Sequence, residues 1–472
     1  MQTKKRVVFY LLDGARPDIL QKLLDQNRLP NLAEIIAEGS FSTATSCLPS
    51  TTGPAYLPFL TGHFPGTMNI TGIRWFDKKE FKRSRLNKLA MRSYCGPEAA
   101  FFNSDMREEK QTLFENIEES YNVYNMVTRG LKKRHDLTPK GKGLLYTRAH
   151  FFLRHHPVDT MGHEAIMSFL KGGEDFAFLF AVFPSVDWDS HYHHFEDDRT
   201  VEAYKLADDS IGEVRKTLEK KGRWKDTLLL LTSDHGLSAT HTHFDVGDWM
   251  TAHDLRSVSY PVIWRRAPKS AVMISGNSFG SVHLLNHEGD HVLQKKQLHA
   301  CLGEERLSAF LTEKAVDFIA YRADDPNSFV VQNRDGSALV KKEDVRFGYH
   351  PETGDPLRLG NAIEVTGHRT ALDATFRSDY PDALVQVAQL FQSRRAGDFI
   401  VCAKNGYDLR DFWEYPEHKG SHGSLDKEHM LVPLVMNQKL QATHPARTAD
   451  LYATILHWLG RAMPPSEGTT LL

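Results

Sequence analysis

Residues 227–236 read Thr-Leu-Leu-Leu-Leu-Thr-Ser-Asp-His-Gly. A short apolar run closed by polar residues is the pattern of a buried parallel strand that delivers its last side chains to a sheet edge. Upstream, Val201, Tyr204, Ala207, Ile211, Val214 and Leu218 step by three or four residues and share one helical face. Asp197 or Asp198 caps the start of that helix, and Gly222 sits just past its end. Before it lies a second apolar run, Phe176–Phe183. Strand, helix, strand in this order predicts a right-handed parallel crossover, and with it an α/β fold. Val7–Leu12 and Val432–Met436 read as further buried parallel strands, and 448–459 reads as a helix with Leu451, Ile455 and Leu459 on one side.

The carboxylates fall at the ends of these runs. Asp13 closes the first strand, Asp187 follows the second after the turn Phe183-Pro184-Ser185-Val186, and Asp234 follows the third. Open α/β sheets bind ligands at the carboxyl ends of their strands. Three carboxylates brought to one edge repel each other, and a cationic cluster would offset that cost. The chain has 24 histidines, the commonest metal-ligating side chain, among its 472 residues.

Composition narrows the class. With 58 basic and 60 acidic residues the formal net charge is −2, which disfavours a nucleic-acid polymer as partner. No apolar stretch approaches the roughly 20 residues of a membrane span. Lys4-Lys5-Arg6 followed by Val7–Leu12 imitates a secretory leader, but the apolar run ends after six residues and no small-residue cleavage site follows. Cys47, Cys95, Cys301 and Cys402 lie far apart and form no paired framework. These features lead us to expect a cytoplasmic protein. The oligomeric state is not legible.

Four motifs carry the chemistry: Asp13-Gly14-Ala15-Arg16-Pro17-Asp18; Thr52-Gly53-Pro54, nine residues before Thr61-Gly62; Asp187-Trp188-Asp189-Ser190-His191; and Ser233-Asp234-His235-Gly236, answered downstream by Ser421-His422-Gly423. Together they resemble the nucleotide pyrophosphatase/phosphodiesterase branch of the alkaline phosphatase superfamily. The likeness extends to Pro49-Ser50-Thr51-Thr52-Gly53-Pro54 and to the closing run 448–456, and covers roughly 1–75, 175–245 and 418–462.

The resemblance implies an alkaline phosphatase-like core, a mainly parallel sheet flanked by helices, carrying a smaller α+β cap. The core is expected over 1–260 and 416–472, with an insertion at 75–170, and the cap over 261–415, where Phe329–Gln332 and Ala338–Lys341 read as a hairpin around Arg334-Asp335-Gly336. It implies two divalent ions, zinc by ligand type with manganese as the alternative. Asp13, Thr52, Asp234 and His235 would hold one; Asp187, His191 and His422 would hold the other. Thr52 would be the nucleophile and form a phosphothreonine intermediate during hydrolysis of a phosphodiester or diphosphate bond in a small-molecule phosphate ester.

Cys47-Leu48-Pro49-Ser50 resembles the start of a sulfatase motif, but position 51 is Thr where that motif has Arg, so Cys47 reads as structural. The family's asparagine three residues after the nucleophile is Ala55 here. That departure brings Arg74, Trp75 and Lys78 forward as substrate contacts, the two cations for phosphoryl oxygens and Trp75 for stacking. Asp189, His193, His194, His241 and His243 are assigned no ligand role. The alternatives are a phosphomonoesterase or phosphonate hydrolase with the same site, and a metal-stabilised binding protein without turnover, for which Thr52 would have no use.

Overall fold

The computed structural model describes residues 4–84, 90–410, 417–442 and 444–472, with backbone alone at 142, 144, 147 and 150. The return to the core expected at 416 lies outside the described residues. A seven-stranded sheet forms the centre, in the order Ala446–Arg447, Ser40–Thr45, Leu431–Met436, Thr227–Thr232, Arg6–Leu12, Phe178–Phe183, Ser120–Val123. The middle strands are wholly buried along their length, as their unbroken apolar sequence requires. Full burial of each of Leu228, Leu229, Leu230 and Leu231 contributes roughly 1.5–3 kcal/mol.

Arg6–Leu12 pairs in parallel with both Phe178–Phe183 and Thr227–Thr232, as expected. Leu431–Met436 departs from the expectation and runs antiparallel to Thr227–Thr232. This reversal matters for function. The amino end of a reversed strand lies at the carboxyl edge of its neighbours, so the segment that carries His422 arrives at the edge that Asp13 and Asp234 leave. Ser40–Thr45 runs antiparallel to Leu431–Met436 and therefore points the same way as the parallel strands. It empties into the Thr52 segment at that same edge.

The helix expected at 201–218 spans Asp198–Lys220, with the Asp197 carboxylate accepting from the Arg199 N–H. It packs against His156–Gly172 and Pro30–Glu38. The closing helix spans Asp450–Trp458 and packs against Leu57–Thr61. Among the described residues no helix is long and apolar enough to cross a membrane.

One boundary differs from the sequence reading. Residues 75–170 are not one insertion: Ser120–Val123 joins the central sheet as an edge strand, parallel to Phe178–Phe183. Its sequence, Ser-Tyr-Asn-Val, is too short and polar to register as a buried strand. The cap, the smaller part of the chain as expected, carries the sheet with more strands. It holds nine strands from Ser257–Val258 to Phe399–Ala403, antiparallel except at its Ser257–Val258 edge. The expected hairpin is present as Ser328–Asn333 and Gly336–Glu343, joined by Arg334 and Asp335. This sheet shares an apolar cluster with the nucleophile segment, in which Cys47, Leu48, Ala55 and Phe64 pack with Phe279, Phe318 and Cys402. Cys47 is fully buried there, and burial pushes its thiol pKa well up, which fits a structural role.

Candidate active site

Asp187 lies in the first turn of the helix Ser185–His193, not in a loop, so Asp187 and His191 stand one turn apart on the same face. That helix comes close to the end of the first strand because residue 14 is glycine. Gly14 adopts φ +72°, and a Cβ there would sit 2.8 Å from the Asp187 Cβ.

All seven sequence-assigned ligands converge at the sheet edge. The ligand atoms of Asp187, His191 and His422 lie within 4.8 Å of one another, and so do those of Asp13, Asp187 and His235. His235 Nε2 is 3.3 Å from Asp234 Oδ2 and 3.4 Å from Asp13 Oδ1. The Thr52 hydroxyl lies 3.2 Å from Asp13 Oδ1, to which it donates, and 3.2 Å from His235 Nε2. The rings of His235 and His422 stack with centroids 3.6 Å apart.

Three backbone carbonyls fix the tautomers. His191 Nδ1 donates to Gly420 O at 2.7 Å, His422 Nδ1 to Ser50 O at 2.9 Å, and His235 Nδ1 to Gly236 O at 2.9 Å. A carbonyl only accepts, so each Nδ1 carries the proton and each Nε2 turns toward the carboxylates. Asp187 Oδ1 and Asp234 Oδ2 are buried without a hydrogen-bond donor. Buried carboxylate oxygens left in that state are costly unless a cation takes them. Donor type, tautomer and orphaned oxygens all fit divalent ions.

The electrostatics agree. Burial, then Asp234 and Asp187, raise the Asp13 carboxyl well above the usual range. Burial and Asp187 also raise Asp234, against the opposing pull of His235. Burial would raise Asp187 as well, but His191, His422 and His235 outweigh it and hold that carboxyl low. Burial and His235 push His422 well below the ordinary imidazole value, leaving it neutral and able to ligate.

A cleft of about 570 Å³ opens onto this cluster, lined in part by Tyr124, Tyr146, Trp188, Tyr192, Asn277 and His418. Arg74 lines it too, and its Nε donates to Ser93 Oγ at 3.3 Å. Trp75 does not: it is fully buried, its indole N–H donates to the Tyr94 hydroxyl, and the Arg395 guanidinium lies 3.7 Å above its ring. Lys78 does not either, because its ammonium is buried against both oxygens of Asp398 at 2.7 and 2.8 Å. Both are structural, which corrects two of the three expected substrate contacts. Asp189 faces away from the cluster and binds His155 and His156 at 2.7 and 2.9 Å. His243 pairs with Asp408 at 2.6 Å.

The sequence reading missed Tyr56, Asn277 and His418. Tyr56 donates to Asp13 Oδ2 at 3.2 Å, and its four-residue spacing from Thr52 was the available signal. His418 stands four residues before His422, a spacing that was also legible. Asn277 comes from the second sheet, where no motif marks it.

The Asn277 turn also holds His422. Gly276 adopts φ +63°, and a Cβ there would lie 2.6 Å from His422 Nδ1. Gly276→Ala is expected to cost about 1–3 kcal/mol and to weaken metal retention by the His422 trio. Thermal melting and metal content of the purified variant check this; wild-type values for both would refute it.

The fold and this edge define an α/β protein of the alkaline phosphatase type. A family model described as type I phosphodiesterase/nucleotide pyrophosphatase matches residues 7–425, so the chain belongs to that family and is a phosphoric ester hydrolase. No curated protein matches it in sequence. Among solved structures it is similar to human ectonucleotide pyrophosphatase/phosphodiesterase 5 (TM-score 0.59, 14% identity, 98% of this chain and 97% of that one). The murine form, solved as an inactive threonine-to-alanine variant with AMP, gives TM-score 0.58 at 12% identity over 99% and 98%. Phosphonoacetate hydrolase from Sinorhizobium meliloti 1021, solved with phosphonoacetate, gives TM-score 0.57 at 14% identity over 97% and 95%.

Proposed function

We propose that this chain hydrolyses a phosphodiester or diphosphate bond with Thr52 as nucleophile. Two divalent ions would assist, one held by Asp13, Thr52, Asp234 and His235 and one by Asp187, His191 and His422. The observation that carries the reading is the Thr52 hydroxyl, 3.2 Å from both Asp13 Oδ1 and His235 Nε2 at the one edge where all three carboxylates meet. The ions, zinc or else manganese, would supply Lewis acidity to the hydroxyl and to the phosphoryl oxygens.

Thr52 Oγ gives up its proton to solvent and bonds to phosphorus as the bond to the leaving oxygen breaks; the leaving group departs as a phosphate, or as an alkoxide that takes up a proton from solvent to become an alcohol. Asp13 orients the hydroxyl and accepts its hydrogen bond. Water then attacks the phosphorus of the phosphothreonine, the Thr52 Oγ–P bond breaks, and the proton released by the attacking water restores the Thr52 hydroxyl. The AMP-bound neighbour, inactive with alanine in place of threonine, supports a threonine nucleophile on this fold.

The cleft wall favours diesters. Among the described residues Arg74 is the one Arg or Lys side chain lining it, and much of the rest is aromatic or apolar. A monoester brings an extra negative charge into that wall, and an aryl or nucleoside group of a diester suits it. With added zinc or manganese, kcat/KM for bis-p-nitrophenyl phosphate should exceed that for p-nitrophenyl phosphate by roughly tenfold or more. The reverse order would keep Thr52 and the metals but move the substrate to a phosphomonoester or phosphonate, the reading that Ala55 keeps open.

A further inference from the structure

The helix Lys142–Phe152 stands between two cavities. On one side Tyr146 and Phe151 line the catalytic cleft, and the Tyr146 ring meets Trp188 edge-on with centroids 5.0 Å apart. On the other side Leu145, Arg148, Ala149 and Phe152 line a second cavity of about 790 Å³. These residues step by three or four positions and so share one helical face. The chain then turns at Leu153, which adopts φ +49°. The next helix, His156–Gly172, closes the far wall with Pro157 and Met161, again one turn apart.

The two faces leave adjacent phenylalanines in the open: Phe151 is 79% exposed and Phe152 68%. Apolar surface gathered in this way marks a ligand groove or an interaction site. Phe152, Leu145, Ala149, Pro157 and Met161 give the second cavity an apolar wall, and its volume is that of a small-molecule site. Its rim is cationic. Lys140, Arg148 and Arg154 line it and are exposed. Among the described residues no acid lines this cavity, and none of the three cations makes an ion pair. Elsewhere a surface cation gathers acids around it, as Arg215 does with Glu34, Glu38 and Glu219. Unopposed positive charge over an apolar wall complements a ligand with one anionic end and a hydrocarbon body, and guanidinium forks suit a carboxylate.

We propose that this second cavity binds a single-chain amphiphile with an anionic headgroup, a long-chain carboxylate, and that its occupant sets the position of Tyr146 and Phe151 in the cleft wall. The path between the two sites is short. One helix forms both walls, and Tyr146 leans on Trp188, the neighbour of Asp187 in the helix Ser185–His193. A ligand that favours one position of the shared helix changes affinity at the cleft, and cleft occupancy changes its own affinity by the same factor. The coupling rests on the phosphoryl-transfer reading, whereas the binding does not.

The test is calorimetric titration of the zinc-loaded protein, freed of unbound zinc, with monomeric dodecanoate beside acetate and dodecyltrimethylammonium. Dodecanoate should bind with micromolar affinity. Acetate lacks the chain and the ammonium inverts the head, so neither should bind. The double variant Arg148→Glu, Arg154→Glu should bind dodecanoate about tenfold or more weakly, and Phe152→Ser should also weaken it. All three positions are exposed, so melting temperatures should stay at the wild-type value. Inorganic phosphate, which would occupy the metal edge, should not displace dodecanoate. Dodecanoate should change KM for bis-p-nitrophenyl phosphate by about fivefold in wild type and leave the double variant unmoved. Equal binding by wild type and both variants overturns the cavity assignment. So does displacement by phosphate, or adhesion to phosphatidylglycerol vesicles without binding of monomeric dodecanoate. Bound dodecanoate with KM unchanged overturns the coupling. A wild type that hydrolyses no diester sinks the functional reading and leaves the binding result standing.

Discussion

Thr52→Ala is expected to lose roughly 10³-fold or more in kcat, about 4 kcal/mol of transition-state stabilisation, and to form no phosphoenzyme. The hydroxyl occupies the point where the two halves of the site meet. It touches Asp13 from the first strand and His235 from the third, on a segment tied to His422 through Ser50. Removing one hydroxyl leaves the Nδ1 locks of His191, His235 and His422 in place, so divalent metal should still bind through the remaining carboxylates and imidazoles. The measurement pairs steady-state turnover with mass analysis of acid-quenched enzyme. Wild type should carry phosphate on the Thr52 peptide and the variant none. Full turnover by the variant, or phosphate on another residue, would remove Thr52 from its role.

The residues at the sheet edge were legible in sequence because the chemistry and the strand ends coincide there. Val7–Leu12, Phe176–Phe183 and Thr227–Thr232 are apolar runs that stop at or just before a carboxylate, and all three are the parallel strands expected. What escaped was whatever depends on direction or on distant segments. Val432–Met436 reads the same in either orientation, since a strand buried on both faces shows no polarity along the chain, and it turned out reversed. Ser120–Val123 is an edge strand too polar to stand out. Lys78 and Trp75 looked like substrate contacts because Lys and Trp commonly are. Their partners Asp398 and Arg395 lie more than 300 residues away, and no local pattern announces a buried pair of that separation. Asn277 has the same difficulty in the other direction: the motifs mark what the core contributes, and this side chain comes from the second sheet.

The second large effect concerns metal and pH together. In the metal-free fold, burial and mutual repulsion raise the carboxyls of Asp13 and Asp234. An acid whose folded pKa exceeds its unfolded value binds more protons folded than unfolded. Its contribution to stability is therefore lost as pH rises from the ordinary carboxylate range through the raised value. A divalent ion reverses the sign. It would bind the ionised carboxylates, displace their protons, and hold their folded pKa below the unfolded one, so that contribution would be lost as pH falls. His422 adds to the same direction, since its lone pair must be free to ligate. Metal uptake should thus release protons, and apparent affinity should climb with pH. Near neutrality, metal at a hundredfold excess over its Kd should stabilise the fold by about 2.7 kcal/mol per ion. Calorimetric titration of chelator-stripped protein in buffers of different ionisation enthalpy would count the protons released. Melting curves with zinc and with chelator, taken across the acid range, should show a gap that is widest near neutral pH and closes as pH falls. A gap of constant width, or uptake without proton release, would mean that the ions bind somewhere other than the Asp13–Asp187–Asp234 edge.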